Sequence, residues 1–245
     1  MKILGIIPAR YASTRFPAKA LADIAGKSMV QRVYEQARQA GSLHEVVVAT
    51  DHEAIFNHMQ SFGGRVVMTS PDHPSGTDRC FEAYGQVGAE YDFVINIQGD
   101  EPFIQPEQID TLSSVLTSAG VQLATLVRKI DEPETLFDPN KVRVILNLFH
   151  EAIYFSRNPI PYVRGAEKEA WLQKHIFYQH VGMYAYRPDI LAEITRLPVS
   201  SLEKAESLEQ LRWIENGYRI KTAVTAHESM GIDTPEDLQK VLAKL

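Results

Sequence analysis

The 245-residue chain has one cysteine, Cys80. That excludes an internal disulfide and a cysteine-built metal site, and it fits a reducing compartment. Positive charge is not in excess. The formal net charge is -6, whereas nucleic-acid binding usually leaves a basic footprint, so no nucleic-acid partner is expected. No stretch is long and apolar enough to span a membrane. The opening apolar run is too short for a signal peptide and meets Pro8 and Arg10 at once. A cytoplasmic protein is therefore expected. The chain has no G-x-G-x-x-G and no Gly-Lys-Ser/Thr after a glycine run, which excludes a dinucleotide fingerprint and a P-loop. Internal repeats and low-complexity linkers are also absent, so residues 1–245 read as one domain.

What is present starts at the N-terminus. Ile3-Leu4-Gly5-Ile6-Ile7 is continuously apolar, as in a parallel strand covered on both faces. Pro8 is expected to stop its ladder. The loop that follows carries Arg10, Arg15 and Lys19 with no carboxylate between them. A cationic loop at the carboxyl end of such a strand suits an anion such as phosphate; basic loops are also ordinary solvated surface.

Ser28 is placed to cap a helix carrying Met29, Val30, Val33, Tyr34 and Ala37 at helical spacing, with Gln31 completing a capping box. Val46 to Thr50 is a second buried strand, after which Asp51 is expected to cap a helix. Arg65 to Met68 is a third strand. This β-α-β-α-β order predicts a doubly wound, mostly parallel α/β sheet. In His73-Pro74-Ser75-Gly76-Thr77-Asp78-Arg79, the N–H groups of Ser75 to Thr77 can meet an anion or a base edge. The same residues equally form a simple N-cap. Phe93 to Ile97 is a fourth strand that runs into Gln98-Gly99-Asp100-Glu101-Pro102. Asp100 is well placed for Mg²⁺, after a glycine that lets a ligand approach; capping the turn is its other reading.

The texture changes near residue 131. The segment 131–190 reads as an inserted lobe with antiparallel character, and His180 and Tyr184 are spaced to share a face. Core packing is the alternative for both. Ser201 to Asn216 reads as one helix, with Leu202, Ala205, Leu208 and Leu211 inward. In Gly231-Ile232-Asp233-Thr234-Pro235-Glu236-Asp237, Thr234 caps, Pro235 takes the first helical position and Asp237 completes the box. Asp233 is thereby spared for a ligand. Leu238, Val241, Leu242 and Leu245 are expected to pack this last helix.

These motifs, with Tyr154-Phe155-Ser156-Arg157 and Leu208-Glu209-Gln210-Leu211-Arg212, closely resemble the 3-deoxy-D-manno-octulosonate cytidylyltransferases along essentially the whole chain. The resemblance implies a nucleotide-diphospho-sugar-transferase fold, a homodimer through the inserted lobe, and transfer from CTP to a sugar acid for lipopolysaccharide synthesis. It implies that Arg10 and Lys19 hold the triphosphate, and that Pro8, Ala9, Ser75, Gly76, Arg79 and Gln98 frame the nucleotide. Asp100 and Asp233 would bind Mg²⁺. Gln98, Arg157, His180, Tyr184, Glu209 and Gln210 would meet the sugar, with Arg157 on its carboxylate. Relatives read Pro-Gly-Lys-Pro where this chain has Pro17-Ala18-Lys19-Ala20. Kdo is the expected sugar acid. Its 8-amino analogue stays open because Glu167, Glu169 and Glu209 offer carboxylates. A sialic acid substrate and a non-catalytic binding module are the rival readings.

Overall fold

The structure, a computed structural model, describes residues 1–12, 16–88, 90–228 and 230–243. Arg15 of the basic loop and Leu245 of the last helix lie outside them. The chain forms two compact units. The first comprises Met1–Asp110, Ala185–Thr195 and Ser229–Leu245; the second comprises Thr111–Tyr184 and Arg196–Glu228.

The first unit begins with β1 (Ile3–Ala9), the short hairpin β2 (Asp23–Ile24) and β3 (Lys27–Ser28), and α1 (Met29–Ala37). It continues through β4 (Glu45–Thr50), α2 (Glu53–Ser61), β5 (Val66–Met68), α3 (Gly76–Val87), β6 (Phe93–Asn96) and α4 (Pro106–Ser114). Its strand order is β6-β1-β4-β5, all parallel. The continuous apolar runs of β1, β4 and β6 are buried, as expected of strands covered on both faces. Order, direction and burial match the α/β reading.

The second unit carries β7 (Leu123–Lys129), α5 (Pro133–Phe137), β8 (Arg143–Leu146), β9 (Ala152–Ser156), α6 (Trp171–Lys174) and all but the last two residues of β10 (Tyr178–Tyr186). After α7 (Pro188–Ile194) in the first unit, it resumes with α8 (Ser201–Glu206), α9 (Gln210–Glu215) and β11 (Ile220–Val224). β8 pairs antiparallel with both β9 and β10, while β11 is parallel to β7. Helix α10 (Pro235–Leu242) closes the chain in the first unit, and its capping box between Thr234 and Asp237 is complete.

Four local expectations are corrected. β1 does not stop at Pro8 but runs to Ala9. β6 accompanies it only from Ile3 to Ile6, whereas β4 runs from Leu4 to Ala9. Past Ile6 one edge therefore has no ladder for the missing N–H to interrupt. The box at α1 is half made: Ser28 accepts from the Gln31 N–H, but the Gln31 side chain turns to Glu35. His52, not Asp51, caps α2, its Nδ1 accepting from the Ala54 N–H at 3.1 Å. Asp51 is drawn instead to Tyr11 and Arg79. The helix expected from Ser201 to Asn216 is broken at Ser207, which has φ 53°, and Ala205 is exposed. The Arg157 guanidinium takes the carbonyls of Glu206 and Ser207 that a continuous helix would use.

Candidate active site

Three charged side chains meet beyond the carboxyl ends of the first unit's parallel strands. Lys19 Nζ donates to Asp100 Oδ2 at 2.7 Å and to Asp233 Oδ1 at 3.1 Å. Three distant stretches meet there, and the packing explains how. Ile232 is fully buried with Ile24, Met29 and Val241, and Phe16, Phe103 and Leu238 pack around them. Covering a side chain of that size contributes about 2 kcal/mol. The Ile232 N–H then donates to the Asp100 carbonyl at 2.9 Å. That bond sets Asp233 beside Asp100, while the intact capping box leaves Asp233 out of the helix end.

Lys19 starts a 3₁₀ turn, Lys19–Leu21, that follows Ala18 at φ 55°. An alanine in this left-handed region is held against its own preference. The site fits a divalent cation by its donor chemistry. Two carboxylates converge on one positive charge, and Mg²⁺ takes one or two carboxylates and completes its shell with phosphate and water.

Around these three residues is a cavity of about 320 Å³ lined by Pro8, Ala9, Arg10, Ser75, Gly76 and Gln98 among others. Every nucleotide-side residue expected from the sequence therefore lines one cavity. Arg10 is exposed. Ser75 caps α3 by accepting from the Asp78 N–H at 3.2 Å, and its hydroxyl donates to Asp78 Oδ2. The cap reading of Ser75 is thus real, and the helix N-terminus still faces the cavity. Arg79 also lines it, but its guanidinium is buried, donating to Asp51 at 3.0 Å, Thr69 Oγ1 at 2.6 Å and the Ser70 carbonyl at 3.2 Å. Gly99 has a further role: a Cβ there would lie 2.7 Å from the Pro8 carbonyl oxygen. The glycine permits two chain segments to approach, and it also lines the cavity.

The sugar-side candidates all belong to the second unit, apart from Gln98. Arg157 is half-buried, and its guanidinium donates to the carbonyls of Glu206, Pro139 and Ser207. Glu206 in turn accepts from the Ser156 hydroxyl and the Arg157 N–H. His180 and Tyr184 do share a face, with ring centroids 5.2 Å apart. His180 Nε2 lies 3.0 Å from Thr125 Oγ1, which spends its one proton on the Met183 carbonyl at 2.8 Å. A protonated Nε2 donating to Thr125 Oγ1 fits this arrangement and leaves Nδ1 as an acceptor. Surface area leaves His180 half-buried, yet desolvation lowers its pKa to about 3, because Phe155 and Tyr184 wall its ring. Tyr184 is buried and meets Trp213 edge-on at 5.0 Å. Glu209 precedes α9 and is half-buried, whereas Gln210, its first residue, is buried. Glu167 and Glu169 are exposed.

Comparison with known proteins decides the family. The profile described as "Cytidylyltransferase" matches residues 4–221. The 3-deoxy-manno-octulosonate cytidylyltransferase of Cytophaga hutchinsonii is 61% identical over 242 residues, covering 98% of this chain and 96% of that protein. That of Parabacteroides distasonis is 58% identical, with coverage of 100% and 98%. A solved CMP:2-keto-3-deoxy-manno-octonic acid synthetase complexed with CTP superposes with TM-score 0.92 at 44% identity, over 100% of this chain and 98% of that one. The chain belongs to the 3-deoxy-manno-octulosonate cytidylyltransferase family.

Several residues that shape this cytidylyltransferase have roles that its sequence did not reveal. Asp51 follows a buried strand as Asp100 does, so the rule that ligand sites gather at strand carboxyl ends would have marked it. His73 lines the cavity and pairs with Glu82, which also accepts the Ser70 N–H at 2.8 Å. That contact spans nine residues across a loop and a helix turn, and no spacing rule reveals it. Arg143 is fully buried and donates to the carbonyls of Leu136, Asp138, Lys141 and Arg157. In an alternating strand it reads as a solvent-facing charge.

Proposed function

We propose that this chain catalyses transfer of the cytidylyl group of CTP to a 3-deoxy-manno-octulosonate sugar acid, giving the CMP-sugar and diphosphate for lipopolysaccharide synthesis. The observation that carries it is the cavity in which Lys19 spans Asp100 and Asp233, opposite the N-terminus of α3, in a chain of this family. The sugar's anomeric hydroxyl attacks the α-phosphorus in line and diphosphate leaves. Such chemistry depends on positioning and on neutralising charge. Arg10 and Lys19 hold the triphosphate. Pro8, Ala9, Ser75, Gly76 and Gln98 frame the nucleotide, with Arg79 supporting the start of α3. Asp100 and Asp233 hold Mg²⁺. When bound there, the ion neutralises phosphate charge and can lower the pKa of an attacking hydroxyl.

Arg157, His180, Tyr184, Glu209 and Gln210 are the sugar-acid residues of this reading, together with Gln98. Two features of the second unit support it. The Arg157 guanidinium is oriented by carbonyls, which leave its charge to be balanced by an incoming carboxylate. His180 is neutral, with Nδ1 able to accept from a hydroxyl. Kdo is the substrate of first choice. Glu167 and Glu169 are solvated, so neither presents the buried carboxylate that an 8-ammonium would require. A cytoplasmic homodimer is the expected form. No described helix is long and apolar enough to cross a membrane. Leu148, Phe149 and Ile153 are exposed by 98%, 73% and 51% at and beside the turn between β8 and β9, which suits burial against a second copy.

Diphosphate release from CTP and Mg²⁺ with Kdo, its 8-amino analogue and a sialic acid in parallel tests this reading. Kdo should give the highest kcat/KM. Preference for another sugar would reassign the substrate, and release with none would refute the function.

A further inference from the structure

Asp51 is a largely covered carboxylate without a role in the reaction outlined above. It sits just past β4, and its side chain is 10% exposed. Its two oxygens bind two segments that flank the nucleotide cavity. Oδ1 accepts the backbone N–H of Tyr11 at 3.0 Å, in the loop that carries Arg10. Oδ2 accepts from Arg79 Nη2 at 3.0 Å, in the first turns of α3 behind Ser75 and Gly76. The same guanidinium holds Thr69 and Ser70 at the end of β5. One carboxylate thus joins the loop after β1, the loop after β5 and the start of α3.

The next residue reinforces the join. The His52 ring stacks on the Tyr11 ring, with centroids 3.8 Å apart and planes 13° from parallel. His52 is itself fixed, because its Nδ1 caps α2. Tyr11 is therefore gripped twice, by backbone and by ring, from the end of one strand. A loop carrying a phosphate-binding arginine loses conformational freedom on binding. Holding it beforehand lowers that loss and raises affinity.

We propose that Asp51, with His52, is a positioning residue for CTP: it sets the distance between the loop bearing Arg10 and the N-terminus of α3, and so governs nucleotide affinity without touching the nucleotide. The proposal rests on the assignment of this cavity to CTP. It implies a loss confined to CTP, because none of these contacts involves the residues assigned to the sugar acid.

The test uses two variants of the full chain, steady-state kinetics for both substrates, and calorimetric titration with CTP alone. Asp51→Asn keeps an acceptor for the Tyr11 N–H but removes the charge facing Arg79. His52→Asn keeps a good N-cap for α2 and removes only the stacked ring. Asp51→Asn should raise the KM and Kd for CTP about tenfold, the scale of one lost charge-assisted hydrogen bond in a buried setting. His52→Asn should raise both about threefold, the scale of one aromatic pair. The KM for the sugar acid should stay at the wild-type value in each. A merely structural role would lower the melting temperature and the active fraction, yet leave the CTP KM of the remaining folded enzyme unchanged, and that result would overturn the proposal. Should Asp51→Asn fail to fold, His52→Asn decides alone, since unchanged CTP affinity there refutes the grip on Tyr11. A wild-type protein that does not bind CTP would overturn the reading of the cavity and this proposal with it. Variants that bind like a competent wild type would overturn this proposal only.

Discussion

Lys19 in the first unit and the arginines Arg143 and Arg157 in the second are held in opposite ways. In the first, Lys19 is bonded to two carboxylates that line a cavity. Each partner is itself a charge that a phosphate or a cation can replace. In the second, Arg143 and Arg157 spend their guanidinium groups on main-chain carbonyls, which no ligand displaces without breaking the fold. Ion pairs across a cavity can be exchanged during turnover. Arginine–carbonyl ties instead lock loops and fix a guanidinium in one direction. The charge of Lys19 is therefore available to move, and that of Arg143 is set in place.

The strongest way to break this comparison is to remove the exchangeable charges. Asp100→Asn and Asp233→Asn should each lower kcat by about a thousandfold or more at saturating Mg²⁺, as expected where charge neutralisation dominates the barrier. Both variants should keep the wild-type melting transition. Near-normal diphosphate release from either would show that these carboxylates serve only Lys19.

Arg143 tests the other half. Arg143→Leu strands several buried carbonyls and should reduce unfolding free energy by about 3 kcal/mol in urea titration. A loss below ~0.5 kcal/mol, within the range of ordinary surface substitutions, would mean that the carbonyls find water and the locking argument is wrong.

Arg157→Ala separates locking from ligand contact. It should raise the KM for the sugar acid about thirtyfold, the scale of a lost charge-assisted pair, and leave CTP affinity near wild type by calorimetry. Equal losses for both substrates would place Arg157 among purely structural residues with Arg143.

His180 sharpens the contrast through pH. Burial lowers its pKa to about 3, below the ordinary imidazole value near 6.5. Between these values the unfolded chain binds a proton that the folded chain does not. Stability is therefore fully present above about pH 6.5 and falls as the pH drops towards 3. The wild type should lose about 1–2 kcal/mol more than His180→Gln between pH 7.5 and pH 5. Parallel acid limbs for the two proteins would mean that His180 is protonated normally.

The smallest expected effect concerns Ala18. Its φ of 55° favours glycine, and Ala18→Gly should raise the melting free energy by about 1 kcal/mol. The lysine beside it should keep its place, so kcat should not change. A drop in stability would mean that neighbouring packing outweighs the backbone strain.

Local pattern was enough to read much of the first unit. Buried strands declare themselves by continuous apolar runs, and the segments Gln98-Gly99-Asp100 and Asp233-Thr234-Pro235 sit where a strand end and a capping box leave a carboxylate available. That is why Asp100, Asp233 and Lys19 can be named from the sequence, and why the strands read as parallel. Misreadings came where two local candidates competed. Asp51 looked like a cap because Asp favours that position, yet His52 caps and Asp51 pairs with an arginine 28 residues away. The break at Ser207 was equally hidden, since periodicity reports which face is apolar and says nothing of a distant guanidinium that takes the helix's carbonyls.

The sequence by itself determined the strand and helix order of the first unit, the capping of its last helix and the family to which the chain belongs, because these depend on neighbours a few residues apart or on the whole pattern of motifs. Only the tertiary structure decided which charges meet. Lys19 lies 81 residues from Asp100 and 214 from Asp233, and Ile232 must be buried before that meeting can occur. The fate of a charged side chain is settled by what surrounds it in space: Lys19 meets carboxylates beside a cavity, and Arg143 is sunk among carbonyls.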